Sequence, residues 1–198
     1  DLTRAQAEKI IDETLLNKDD GELYLQNSIN ENITLDDGKI KNTNFTKIHG
    51  MGLRGICEDV TAYCHTNSIN KNSLIEASKN VNSTLKSFKN YKHNNSVRRT
   101  NEKLYSNHNP IEAKSLKEKI KLLNTVDQYL RGKSNQVKQV TASISTEKKV
   151  IEIIKTGGMT FGDSQPLTSF KISLIMKKGS KNTQGSYATG GRMTFDSY

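Results

Sequence analysis

The chain has no tryptophan, two cysteines, two prolines and few aromatics (6% of residues), and only 33% of its 198 residues are hydrophobic. Each shortage excludes something. Two cysteines, Cys57 and Cys64, cannot build a disulfide-rich scaffold, and they read as free thiols of a reducing compartment. If paired strands carry them, the spacing puts them on a diagonal rather than directly opposite. With His65 they lack the paired C-x₂₋₄-C spacing of zinc sites. No stretch approaches the roughly 18 apolar residues of a membrane helix, and none resembles a signal-peptide core, so no membrane partner is expected. Mean hydropathy is −0.71, which predicts a thin core under a heavily solvated surface. Also missing are H-E-x-x-H, G-x-S-x-G, P-loop and dinucleotide motifs. His49, His65, His93 and His108 each lack an adjacent glutamate, and Asp36-Asp37 is an acidic pair at a turn rather than a dyad across a cleft. These residues predict no active site and no metal site in this chain.

What is present is basic charge, +9 in net, together with a clear succession of periodic segments. Positions 2–17 carry Ala7, Ile10, Ile11, Thr14 and Leu15 at helical spacing, with Thr3 as a cap. From Glu22 to Thr66 the pattern is that of strands. Leu23 and Leu25 alternate with polar residues, and Ile33 and Leu35 repeat this. Asp37-Gly38 makes a tight turn, and Ile40 and Phe45 mark the return. A glycine-rich strand, Gly50 to Gly55, follows; Glu58-Asp59 turns it into Ala62-Tyr63-Cys64-His65. A second helix is expected over 69–89, with Leu74, Ala77, Val81, Leu85 and Phe88 on its buried side and Asn70 or Ser73 as cap. Residues 90–109 show no period and read as a linker or long loop. Pro110 opens a third helix with Leu116, Ile120, Leu123, Val126 and Leu130 in its stripe, and Arg131-Gly132 ends it. Strands are then expected over 137–145 and 150–154, separated by a turn at Thr146-Glu147-Lys148, and over 167–176 and 183–190 around Gly179-Ser180.

The fold class is therefore α+β: mostly antiparallel or mixed sheets with helices packed on one face, in two helix-then-strands halves. The expected domains are 1–89 and 110–198, joined by 90–109.

The ordered series GELYLQ, LDDGKIK, GMGLRGI and TAYCHT, then QVTASIS over 139–145 and the closing GGRMTFDSY, resembles the TldD/PmbA family, known as modulators of DNA gyrase and as zinc metalloproteases. Leu104-Tyr105 with Asn109-Pro110 is similar to the TldD branch. The resemblance implies the amino-terminal, non-catalytic part of a cytoplasmic TldD-like subunit. Its zinc-binding His-Glu helix would lie beyond Tyr198, in the full-length parent. This chain would then hold no cofactor and be inactive alone, with zinc in the parent. The implied partners are a homologous PmbA-like or TldD-like subunit, the carboxy-terminal catalytic part, and flexible peptide substrate. Candidate peptide or subunit contacts are Gly50, Gly52 and Arg54 on one strand and Gly190, Gly191 and Arg192 near the end. Two other readings come from composition. Lys86, Lys89, Lys92, Arg98 and Arg99, flanked by Tyr91 and Tyr105, could make a basic nucleic-acid-binding module. The chain could also be a non-enzymatic interaction scaffold.

Overall fold

The computed structural model describes residues 2–88 and 104–192. Its element order is α1 (Arg4–Thr14), β1 (Asp20–Asp36), β2 (Lys39–Cys57), β3 (Val60–Thr66), α2 (Lys71–Leu85), α3 (Leu116–Lys133), β4 (Val137–Ile154), β5 (Thr160–Lys178) and β6 (Lys181–Gly191). A 3₁₀ turn at Thr156–Gly158 separates β4 from β5. Gly157 and Gly158 both take positive φ there, which breaks the strand where the glycine pair predicts a break. The strands form one six-stranded antiparallel sheet in the order β3-β2-β1-β4-β5-β6. Each half of the chain is thus a helix followed by a three-strand meander, and the α+β class holds. By contacts the chain divides into two compact units, each drawn from three stretches: 1–27, 48–104 and 150–163, and 28–47, 105–149 and 164–198.

In the first unit, α1 and α2 cover one face of the sheet. Thr3 caps α1 and forms a capping box with Gln6; Asn70 caps α2 by accepting from the Ser73 N–H at 2.9 Å. The stripes on both helices meet Leu23, Met51, Leu53, Cys57 and Ala62 in one buried cluster. Phe88 is the exception. The helix stops at Leu85, so Phe88 falls beyond the stripe and is 37% exposed. In the second unit α3 lies on Ile33, Leu35, Ala142 and Ile144 through Leu123.

Four expectations need correction. First, α3 starts at Leu116, not at Pro110. Ser115 and Glu118 make a reciprocal capping box, whereas Pro110 sits in a separate turn ordered by Asn109, whose carbonyl accepts from the Ala113 N–H. Its buried face also differs: Lys119, Leu123 and Asp127 are buried, while Leu116 is 47% exposed. Second, Gly132 does not stop the helix. It stays out of the left-handed region, and the chain leaves through an extended Ser134 after Lys133. Third, Thr146-Glu147-Lys148 is no turn. β4 runs through it, and β1 runs through the equally polar 27–32. Some polar residues of these strands have side-chain partners: Ser28 Oγ donates to Glu147 Oε1 at 2.8 Å, and Glu31 accepts from Lys119, whereas the buried Thr146 Oγ1 has none among the described residues. Fourth, the cysteines are not diagonal. Cys57 faces Val60 and Cys64 faces Leu53, four register positions apart, and no disulfide joins them.

The β1–β2 turn carries Asp37 at φ 52° and Gly38 at φ 76°, the pair of positive angles a two-residue hairpin needs. Beside it Asp36 accepts from Gln139 Nε2 at 2.9 Å, Thr141 Oγ1 at 2.8 Å and Lys41 Nζ at 3.0 Å. The Gln139 and Thr141 donors, then the Lys41 ammonium, hold its carboxyl down at about 2. A carboxyl depressed in the folded state stabilises above its unfolded value near ~4, and that contribution is lost as pH falls through about 2. Asp36→Asn should therefore lower the melting temperature at neutral pH, and the deficit should close between pH ~4 and ~2; thermal melts across that range check it.

Candidate functional site

In the first unit the core takes alternate residues of the strands, so their neighbours point to the sheet face that α1 and α2 leave uncovered. On that face β2 presents Gly50, Gly52 and Arg54, β1 presents Glu22, Tyr24 and Gln26, and β3 presents Tyr63 and His65. The two glycines leave a hollow of about 170 Å³ walled by Tyr24, Ile48, Tyr63 and His65, with His49 and Asn67 at its rim. A Cβ on Gly52 would come 2.5 Å from Tyr63 Oη, and one on Gly50 would come 2.9 Å from the Thr66 carbonyl oxygen. Gly52 therefore leaves room for the Tyr63 ring against the strand, and Gly50 for the close approach of the Thr66 backbone. Its ring stacks with His65 at 5.8 Å between centroids and 22° between planes. The Tyr24 hydroxyl donates to Gln26 Oε1 at 3.0 Å; burial, then the neighbouring Tyr63, pushes its pKa up.

Arg54 leaves the hollow. Its guanidinium grips Glu22 bidentately, with Nε 2.6 Å from Oε1 and Nη2 2.9 Å from Oε2, and this bond raises its pKa. Gly52 to Gly55 have β3 on one side and β1 on the other, so their main-chain edges are already paired. The outer members of the sheet are β3 and β6. In the second unit Gly190 and Gly191 lie on β6 opposite Ser169 and Thr168. A Cβ on Gly190 would meet the Thr168 carbonyl oxygen at 2.6 Å, so this position needs glycine for strand contact. Arg192 caps the ring of Tyr105 at 5.0 Å, a cation–π contact. The six proposed contact residues thus fall at two separate places. Lys86 is exposed at the end of α2; Lys89, Lys92, Arg98 and Arg99, with Tyr91 and His93, lie outside the described residues.

Sequence alone gives Tyr24 and Tyr63 no special role. The signal was there: Gly50/Gly52 and Tyr63/His65 share the two-residue period of one sheet face. Their meeting needed the β2–β3 register.

The donor set does not fit a catalytic metal. Among the described residues no group of three or more His, Cys, Asp or Glu is placed to hold one. Cys57 and Cys64 turn toward the helix layer and His65 toward the opposite face. Among the described residues, no helix is long and apolar enough to cross a membrane.

The same fold occurs in candidate modulators of DNA gyrase from Bacteroides thetaiotaomicron (TM-score 0.73, 96% of this chain and 45% of that one) and Thermotoga maritima (TM-score 0.74, 90% and 40%). It also occurs in TldE from Thermococcus kodakarensis (TM-score 0.70, 95% and 43%). At 14% identity in each case, these share the fold. Residues 21–83 match the model of PmbA/TldA metallopeptidase domain 1, and residues 109–197 match that of the PmbA/TldA metallopeptidase central domain. The chain belongs to the PmbA/TldD metallopeptidase family, and it is TldD-like. The Metalloprotease TldD homolog of Haemophilus influenzae is 30% identical over 186 residues, covering 91% of this chain and 38% of that protein. That of Buchnera aphidicola from Acyrthosiphon pisum is 29% identical over 178 residues, covering 90% and 37%. The chain spans less than two-fifths of these relatives.

Proposed function

We propose that this chain is the amino-terminal, non-catalytic part of a cytoplasmic TldD-like metallopeptidase subunit, and that it guides flexible peptide toward a zinc centre carried by the rest of the parent. The observation that supports it best is the outer strand β6. It is eleven residues long, most of its side chains are exposed, and among the described residues the sheet order gives it no outer neighbour. Such an edge can add an extended peptide through main-chain hydrogen bonds with little demand on sequence. The Gly190-Gly191 end keeps that edge close to β5, and Arg192, held by Tyr105, sits beside it. A homologous PmbA-like or TldD-like subunit is the expected partner in assembly, with 1–89 and 110–198 as the two domains and 90–109 between them.

The test is hydrogen exchange on the chain with and without an unfolded reporter, reduced and carboxymethylated α-lactalbumin. Amides of Lys181–Gly191 should exchange more slowly with the reporter present, and Arg192→Ala should weaken the effect. Protection confined to other strands, or none at saturating reporter, would refute the reading. Of the residues behind the nucleic-acid alternative, Lys86 and Tyr105 are described, and Tyr105 already holds Arg192, so that reading gains no further support.

A further inference from the structure

We propose that the cleft between α1 and α2 docks an acidic amphipathic helix of a partner protein. The cleft measures about 370 Å³, within the roughly 300–1,000 Å³ of clefts that hold ligands. Ile10 and Ile75 form an apolar floor, and Lys9, Lys71 and Lys79 stand around it. Glu13 is its one carboxylate, and it already lies 3.9 Å from Lys9 Nζ. The other acids of α1 are committed elsewhere: Glu8 accepts from Arg4 Nε at 3.0 Å, and Asp12 accepts from the Gly157 N–H at 2.9 Å. Lys71 and Lys79 enter no ion pair among the described residues. A hydrogen bond of 2.6 Å between the Thr14 and Ser78 hydroxyls ties the two helices together and fixes the walls.

This combination selects an occupant. A small anion would leave the isoleucine floor wet. A purely apolar helix would bring uncompensated ammonium groups against a surface that cannot solvate them. A helix with an apolar stripe flanked by Glu and Asp satisfies both, its stripe on Ile10 and Ile75 and its carboxylates on the lysines. The cleft is built from α1 and α2, whereas the peptide-guiding role rests on β6, so the inference does not depend on that role.

Fluorescence anisotropy of the chain with a labelled helical peptide tests it. The probe carries leucine at every third or fourth position with glutamate on both flanks, and its twin has glutamine in place of glutamate. The acidic peptide should bind about tenfold more tightly than its twin, as expected where charge complementarity decides the partner. Its affinity should fall as salt is raised. Lys71→Glu with Lys79→Glu should lose about tenfold as well; both lysines are exposed, and a circular dichroism melt verifies folding. Equal binding of the two peptides, unchanged binding by the double variant, or no saturable binding of the acidic peptide overturns the proposal. So does binding of phosphatidylserine vesicles lost in the same variant without peptide binding, which would make this a membrane-facing surface.

Discussion

Replacing Lys119 with methionine is expected to destabilise the chain by about 3–5 kcal/mol, the usual cost of removing one partner from a buried ion pair. Lys119 is 1% exposed and Glu31 8%. The ammonium donates to Glu31 Oε1 at 2.7 Å, Glu31 Oε2 at 2.9 Å and the Ile111 carbonyl at 2.6 Å. All three donor positions are used, so the group is fully satisfied where water cannot reach it. Without it, a carboxylate stays buried with no counter-charge, and the carbonyl of the turn before α3 loses its donor. The cost lies in what is left behind rather than in the attraction removed. The companion variant therefore decides the matter. Lys119→Met with Glu31→Met removes both charges and should regain most of the loss, leaving about 1–3 kcal/mol for the orphaned Ile111 carbonyl. Urea titrations of the two singles and the double measure this directly. If the single losses simply add in the double, the pair is not the coupled unit described here. Amide exchange near Ile111 should rise in either Lys119 variant, because the ammonium is what ties that turn to the sheet.

The second large effect is predicted at Gly55. A Cβ there would lie 2.9 Å from Val81 Cγ1, 3.0 Å from Leu85 Cδ1 and 3.4 Å from Leu15 Cδ2. Val81 is 1% exposed and Leu85 fully buried, and a helical valine has one strongly preferred rotamer, so neither can turn aside. Gly55→Ala should cost about 1–3 kcal/mol by overpacking, which at this chain length lowers the melting temperature by about 2–4 °C per kcal/mol. Gly55→Val should cost more. Gly52→Ala is the informative contrast. Its nearest neighbour is the ring of Tyr63, which is 63% exposed and free to swing outward. That variant should melt close to the wild type yet lose the Tyr63–His65 stack, visible as a shift of the His65 ring resonances. Equal destabilisation at 52 and 55 would mean that α2 does not press on β2 as described.

Much of the architecture was legible in the residues. The α1 and α2 stripes, the Asp37-Gly38 hairpin, the Gly157-Gly158 break and the β5–β6 turn follow from local rules of spacing and backbone freedom, which need no knowledge of neighbours. The α3 start was set wrongly at Pro110, although the residues carry the better signal. Ser115-Leu116-Lys117-Glu118 is a capping box, a more specific signal than the proline five residues earlier. What could not be read was continuity through polar stretches. Residues 27–32 and 146–148 lack hydrophobic alternation. They are strand because β1 and β4 pair side by side in the sheet, where Ser28 meets Glu147 and Glu31 meets Lys119, partners far away in the chain. The fate of the named site residues was partly hidden: a carboxylate partner for Arg54 was to be expected, but not which one. Arg54 is committed to Glu22 and Arg192 to Tyr105, and the Gly50–Gly55 strand lies inside the sheet.

By itself, then, the sequence determined the α+β class, the two helix-then-meander halves and the family, because periodicity, turn chemistry and motif order are properties of neighbours along the chain. The tertiary structure alone decided which strand edge is open, which lysine is buried and which are left unpaired around a cleft, and where two tyrosines converge over glycines. Those outcomes depend on register and on long-range partners, and a side chain's charge or burial acquires its meaning only when the atoms that surround it are in place.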